Sequence, residues 1–278
     1  MVKYTEQFFN KKVIMGGLLL VIIFMLIINN KIESFENNIN NQYKINNNQT
    51  GNNVGKLALS KTGQINEYDY IDVIYYINLD KRIDRNNEFL EEMKKAEIPS
   101  NKIIRIPAVY KPKQGDLGCS MSHIKTLELF ISSGSNNCIV FEDDFEFTKP
   151  THTIKNMIRK LFNNAETTNF DVCMLSANES DVRQTSYDFV KKVFSAQTTS
   201  GYMVSKTFAP ILLQNFKDGA QKLLDSYKAG NPNGPEYCID QYWKRLQPDN
   251  NWLLFQPKLG KQRTSYSDIQ GGVIKMTV

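Results

Sequence analysis

Apolar and polar positions follow two rhythms along this chain. Residues 71–77 form a near-continuous apolar run rich in β-branched and aromatic side chains, the pattern of a buried strand. Beyond it, Ile83, Phe89, Leu90, Met93 and Ile98 recur among charges at helical spacing, and Pro99 ends that helix. Residues 102–109 read as a second strand and 111–115 as a loop. A helix over 116–130 presents Leu117, Met121, Ile124 and Leu127, and Ser132-Ser133-Gly134 stops it. The run 138–147 follows as a buried strand leading into the adjacent acids Glu142, Asp143 and Asp144, and Pro150 opens a helix to about Phe162. Further strands fall at 170–175, 201–204 and 252–255, with 189–194 as an edge or third-layer strand. Helices are expected from the end of the 201–204 strand through Phe216, over 220–227 and over 236–246. Strands alternating with helices give an α/β domain with a largely parallel central sheet.

The N-terminal part breaks this rhythm. Residues 13–28 are uncharged and apolar, slightly short of the roughly 20 residues that span a bilayer, and Asn29 and Asn30 extend them into the interface. Asn-Asn-Lys-Ile-Glu follows instead of a small-residue cleavage site, which favours an uncleaved signal anchor over a signal peptide. Lys3, Lys11 and Lys12 precede the span, whereas Lys31 beyond it is accompanied by Glu33 and Glu36. That bias puts the N-terminus in the cytosol and the bulk of the chain in a lumenal or extracytoplasmic space. Residues 31–67 are Asn-rich without apolar periodicity, a flexible stalk. The expected organisation is a cytoplasmic tail at 1–12, a single transmembrane anchor helix at 13–30, the stalk, and one folded domain at 68–278.

Composition narrows the chemistry. Hydrophobic residues make up 41% of the 278 and aromatics 11%, enough for a sizeable core. The net charge of +5 comes from 34 basic and 29 acidic residues spread along the chain, with none of the concentrated basic stripe of a nucleic-acid binder. Cys119, Cys138, Cys173 and Cys238 include no C-x-x-C pair, which disfavours a structural zinc site. They make two disulfides or remain thiols, Cys138 and Cys173 falling inside apolar strand-like runs.

Five stretches carry candidate chemistry. Glu142, Asp143 and Asp144 end an apolar run, where adjacent carboxylates need a cation or donors to share their charge. The run alone leaves open a metal site at a strand end and an acidic turn in solvent. Hard cations such as Mn²⁺ or Mg²⁺ take oxygen ligands from one or two carboxylates plus substrate phosphates. Asn78 and Asp80 end the first strand, where they can bond a base or ribose, with Arg82 and Arg85 placed for phosphate. The competing reading makes Asp80 and Asp84 helix caps and the arginines surface pairs. Gly115 and Gly118 allow close backbone approach, with Ser120, Ser122 and His123 within two turns; no G-x-S-x-G elbow supports a serine nucleophile. Asp240 lies beside Tyr242 and Trp243, an acid next to aromatic faces on which a sugar ring can lie, or an exposed residue on a packed helix. Residues 262–269, including Asp268, form a polar closing loop or a plain tail.

Together the motifs INLDKRIDR, GDLGCSMSHI, CIVFEDDFEF, SGYMVSK, DQYW and SYSDI resemble glycosyltransferase family 25, which includes lipopolysaccharide-type and collagen galactosyltransferases. They stand in the family's order across residues 71–269; Lys81 and Ile83 depart from its common Arg and Pro. The resemblance implies a GT-A-like nucleotide-sugar domain that transfers a hexose, often galactose, from a UDP-sugar, with Mn²⁺ and inversion at the anomeric carbon. The expected acceptor is a glycan, lipid-linked sugar or glycoprotein, and no nucleic acid is involved. It further implies that Asn78, Asp80 and Arg82, with Arg85 beside them, lie at the nucleotide, that Gly118, Ser122 and His123 line the donor pocket, and that Asp143 and Asp144, with Glu142 behind them, face metal and diphosphate. Asp240 is the expected base that deprotonates the acceptor, and Asp268 its rival. A membrane-anchored glycan-binding protein of the same fold without turnover is the alternative.

Overall fold

The computed structural model describes residues 66–230, 234–263, 265–267 and 272–274. The expected anchor at 13–30, nearly all of the stalk, and Asp268 lie outside the described residues. Among the described residues no helix is long and apolar enough to cross a membrane.

The folded part is a three-layer α/β sandwich. The apolar run after Ile71 becomes β1 (Val73–Asn78), with all six residues buried. It is followed by α1 (Ile83–Lys95), β2 (Ile103–Pro107), α2 (Gly115–Ser133), β3 (Asn137–Glu142) and β4 (Phe145–Phe147). Next come α3 (Thr151–Phe162), β5 (Val172–Met174), β6 (Asn178–Gln184), β7 (Val190–Gln197) and β8 (Gly201–Ser205). The chain continues through α4 (Ala209–Lys228), α5 (Ile239–Tyr242), β9 (Trp252–Phe255) and β10 (Gly260–Gln262). Ser265–Ser267 and Gly272–Ile274 pair as a separate antiparallel ribbon.

Eight strands form one sheet in the order β2-β1-β3-β8-β5-β9-β7-β6. The pairings set β2, β1, β3, β5, β9 and β6 in one direction and β8 and β7 in the other. The sheet is therefore mostly parallel in orientation, although β8 and β7 make the pairings on their flanks antiparallel. Side-chain alternation divides the core between its faces. Ile74, Tyr76, Ile139 and Phe141 join Phe89 and Met93 of α1 and Ile154, Ile158 and Leu161 of α3. Tyr75, Ile77, Val140 and Tyr202 join Leu127 and Phe130 of α2 and Leu212 and Phe216 of α4.

The chain order fixes where a ligand can enter. From β1 the chain passes through α1 to β2 on one side, then through α2 to β3 on the other side of β1. That reversal leaves a crevice beyond the carboxyl ends of β1 and β3, the usual ligand site of open α/β sheets. In the β1–β3 register Ile77 stands beside Glu142, so Asn78 and the acidic run share this rim. Gly134, at φ 75°, ends α2 in the left-handed conformation that glycine adopts without strain.

Several elements differ from the sequence expectation. The acidic run is not one strand: Asp143 and Asp144 form a tight turn between β3 and β4, and β4 pairs with β10 instead of extending the main sheet. Residues 190–197 are an interior strand, flanked by β9 and by β6, and the overlooked β6 is the edge. Its polar sequence NESDVRQ is almost wholly exposed, so no apolar alternation marks it. The two helices expected around 209–227 are one 20-residue helix. The helix expected over 236–246 is broken into 3₁₀ turns on either side of a single α-turn at Ile239–Tyr242. All four cysteines are free thiols, with Cys138 and Cys173 buried in β3 and β5.

Candidate functional site

Three parallel strands bring the site together. Asn78 ends β1 and is 2% exposed. Its amide Nδ2 donates to Asp143 Oδ2 at 2.7 Å and to the Arg82 carbonyl at 3.1 Å, and its Oδ1 accepts from Arg105 Nε at 2.9 Å. Arg105 comes from β2, where it pairs in register with Tyr76, and it also donates to Asp80 Oδ1 at 2.7 Å. Thus the first strand end holds an acid of the third through an amide, and an arginine of the second fixes that amide.

Asp143 and Asp144 are 6% and 7% exposed. Arg85, from the first turn of α1, donates through one terminal nitrogen to Asp143 Oδ1 at 2.9 Å and to Asp144 Oδ2 at 3.4 Å. Gln262 at the end of β10 donates to Asp144 Oδ2 at 3.1 Å, and the Arg263 N–H donates to the Asp144 carbonyl at 2.7 Å. Asp144 Oδ1 is buried and, among the described residues, has no hydrogen-bond partner. One guanidinium between two buried carboxylates leaves an excess of negative charge. Burial, with the charge of Glu142 next, pushes Asp144 up to about 7 against the opposing pull of Arg85. Burial also raises Asp143, while Arg85 and the Asn78 amide pull it back.

Glu142 faces a different set of groups. Its Oε1 accepts from Thr199 Oγ1 at 2.5 Å and lies 3.4 Å from His123 Nε2, whose other ring nitrogen lies 3.0 Å from the Tyr202 hydroxyl. Burial favours the protonated acid, but His123, Thr199 and Arg85 together outweigh it and hold Glu142 below the ordinary glutamate value. Glu142, the first acid of the run, is thus held toward its ionised form, bonded to Thr199 and His123 and drawn down also by the Arg85 charge.

Asp240 sits at the start of α5, with the N–H of Thr198 donating to its Oδ2 at 3.2 Å. Burial raises its pKa first, the Thr198 N–H lowers it, and the Glu142 charge raises it again, leaving a net upward shift. Thr198 holds φ at 92°, a conformation that a β-branched residue rarely adopts. The turn 198–200 thus touches both acids: Thr198 bonds Asp240, Thr199 bonds Glu142, and the Ser200 carbonyl accepts from the Glu142 N–H at 3.0 Å.

Other expected residues are used locally. Ser122 Oγ donates to the Gly118 carbonyl at 2.7 Å and accepts from Val109 N at 2.8 Å, so it holds the loop leaving β2 against α2. A Cβ on Gly118 would stand 2.6 Å from the Val109 carbonyl oxygen, so glycine sets that close approach. Arg82 pairs with Asp84 at 2.7 Å on the surface, and Asp80 is largely exposed. Of the nucleotide and metal residues named from the sequence, Asn78, Arg85, Asp143 and Asp144 meet directly. Gln262 and Tyr202 fall in stretches the sequence marked without a role, whereas Arg105, Thr198 and Thr199 escaped sequence reading because the polar role of each arises from contacts the fold creates rather than from local spacing.

Oxygen donors alone, one of them without a partner, suit a hard divalent cation at Asp143–Asp144. Cys119, His123 and Glu142 form a separate mixed set of sulfur, nitrogen and oxygen.

The model of "Glycosyltransferase family 25 (LPS biosynthesis protein)" matches residues 100–227. No curated protein matches the chain. Among solved structures, a mannose-1-phosphate geranyltransferase from Thermus thermophilus is similar at 7% identity and a TM-score of 0.38, covering 66% of this chain and 72% of that one. A197 from STIV is similar at 8% identity and a TM-score of 0.36, covering 75% of this chain and 99% of that one. The family match supports the resemblance carried by the motifs, and with it a glycosyltransferase. The mixed α/β sheet is consistent with a GT-A-like domain.

Proposed function

We propose that this glycosyltransferase moves a hexose, galactose or glucose, from a UDP-sugar to a hydroxyl of a glycan, lipid-linked sugar or glycoprotein acceptor, with inversion at the anomeric carbon. The observation that carries this reading is the buried Asp143–Asp144 pair at the reversal of strand order, with Arg85 and Asn78 fixed on it and one carboxylate oxygen without a donor among the described residues. Asp143 and Asp144 would hold Mn²⁺ or Mg²⁺, which supplies charge neutralisation at a leaving diphosphate. The protein's own part is positional and electrostatic. Arg85 and Asn78 keep the two carboxylates fixed before substrate arrives, so little reorganisation is needed during reaction.

The base is Asp240. Its carboxylate accepts the acceptor hydroxyl proton as that oxygen bonds to the anomeric carbon, while the bond from that carbon to the diphosphate breaks and its electron pair leaves with the diphosphate. A carboxylate with a raised pKa is better matched to this task than a surface aspartate. Asp80 and the Arg82 region are assigned to the nucleotide, and Gly118 and His123 to the wall of the donor pocket. Asp268 remains a rival for the base. Residues 13–30 are assigned to a single membrane anchor with the catalytic domain on the lumenal or extracytoplasmic side, on the strength of their uncharged apolar run and the lysines before it.

The deciding experiment is donor hydrolysis and transfer with a panel of UDP-sugars, with Mn²⁺ or with chelator. Turnover of one donor in Mn²⁺, abolished in Asp144→Ala, supports the enzyme. A folded wild type that binds glycans but hydrolyses no donor supports a glycan-binding protein instead.

A further inference from the structure

Helix α2 carries two ligating groups, Cys119 and His123, to which the proposed transfer gives no chemical step, His123 only lining the donor pocket. Cys119 and His123 are four residues apart, so they lie one above the other on a single helical face. That face meets the end of β3 at Glu142, and the Cys119 sulfur, a His123 ring nitrogen and a Glu142 carboxylate oxygen lie within 4.8 Å of one another. We propose that Cys119, His123 and Glu142 form a second cation site, selective for a borderline metal of the Zn²⁺ type and distinct in ligand chemistry from the Asp143–Asp144 pair.

The donor set points to the metal class. One thiolate, one imidazole and one carboxylate suit Zn²⁺ or Co²⁺, whereas Mn²⁺ and Mg²⁺ favour oxygen alone. Three protein ligands leave the fourth position of a tetrahedral ion open to water or a small ligand. The imidazole already has the orientation of a metal ligand. Nε2 faces Glu142 at 3.4 Å, while Nδ1 faces the buried Tyr202 hydroxyl at 3.0 Å. An oxygen on the far ring nitrogen is the usual outer support of a ligating histidine. Thr199 in turn holds the Glu142 oxygen.

The geometry needs only a small closure. Ligand atoms around tetrahedral Zn²⁺ stand about 3.3–3.6 Å apart, so the imidazole–carboxylate edge already fits. The thiol has to approach by about 1 Å, within reach of a side-chain rotation. Burial first, and then the charges of Glu142, Asp240 and Asp144, push the Cys119 thiol well up, so a bound cation has to displace its proton, and the same charges attract a dication. Cys138 and Cys173 are buried in the sheet, and Cys238 is near enough to act on Cys119 but turns its own sulfur to Asp116 at 3.8 Å.

The test is Co²⁺ titration of the reduced full-length protein, followed by absorption spectroscopy and Zn²⁺ competition. The expected result is one equivalent of bound Co²⁺ with a thiolate charge-transfer band that Zn²⁺ bleaches. Cys119→Ser should abolish the band and Cys238→Ser should keep it. Tyr202→Phe should weaken Co²⁺ binding about 10–100-fold through loss of the outer support. A folded wild type without the band, or a band that survives Cys119→Ser, overturns the proposal. The donor-binding acids are tested separately: Asp144→Ala should keep the cobalt band while losing Mn²⁺-dependent UDP-sugar binding, so either reading can fail alone.

Discussion

Asp144 concentrates the electrostatics of the rim in one side chain. Its folded-state pKa of about 7 lies above the ordinary value of 3.8. Between those values the folded chain holds a proton that the unfolded chain has lost, so this group lowers stability as pH rises through that window and adds nothing further above it. In chelator, thermal melts should therefore show a fall in Tm from about pH 4 to pH 7 that Asp144→Asn flattens; an unchanged slope in the variant would contradict the assignment. Saturating Mn²⁺ should also remove the slope, because a bound dication takes the proton's place. Asp240 gives a kinetic counterpart. Asp240→Asn should bind donor as the wild type does and lose transfer by about 10²–10⁴-fold, read from single-turnover rates. Retained transfer would shift the role to Asp268. At Thr198 a strained backbone makes a third prediction. Thr198→Gly relieves about 1–3 kcal/mol of strain against roughly 0.5–1 kcal/mol of added chain entropy, so its Tm should hold or rise. A drop of several degrees would show that the conformation is not strained.

At the scale of elements, β4 and β10 form a ribbon that fastens the acidic turn from behind. Phe145 fills the space between two glycines: a Cβ on Gly201 would meet its ring at 2.7 Å and one on Gly260 at 2.2 Å. Gly260→Ala therefore overpacks a rigid aromatic core and should cost about 1–3 kcal/mol, measured by denaturant unfolding, while Gly134→Ala tests backbone strain in open space. Much of this element layer was legible in advance. β1, α1, α2 and β9 announce themselves through apolar runs and helical spacing, and their boundaries agree within a few residues. What escaped reading has physical causes. Polar β6 is exposed and owes its place to pairing with β7, and the acidic run bends at Asp143 and Asp144 into β4, whose partner β10 lies far along the chain. Within the site, Asn78, Arg85, Asp143 and Asp144 were visible as polar residues at strand or helix ends. Arg105 and Thr199 were not, because only the sheet brings β2 and the 198–200 turn to that rim.

For the whole molecule, the crevice between β1 and β3 joins groups from residues 78 to 262 in one network. Donor binding should therefore stabilise the entire domain. A UDP-sugar with Mn²⁺ at 100 times its Kd adds about 2.7 kcal/mol, visible as a raised Tm in wild type and absent in Asp144→Ala. The reversed strand β8 has a further consequence for how the protein tolerates change. Because it runs against its neighbours, its entrance lies at the rim where theirs exit, with Gly201 beside Phe141. The proposed catalytic edge is therefore composed partly of a strand entry whose preceding turn has no slack: each of its three residues is tied to an acid. Lengthening that turn by one residue would detune both acids at once. Sequence drift and grafted loops would accordingly be purged from that turn.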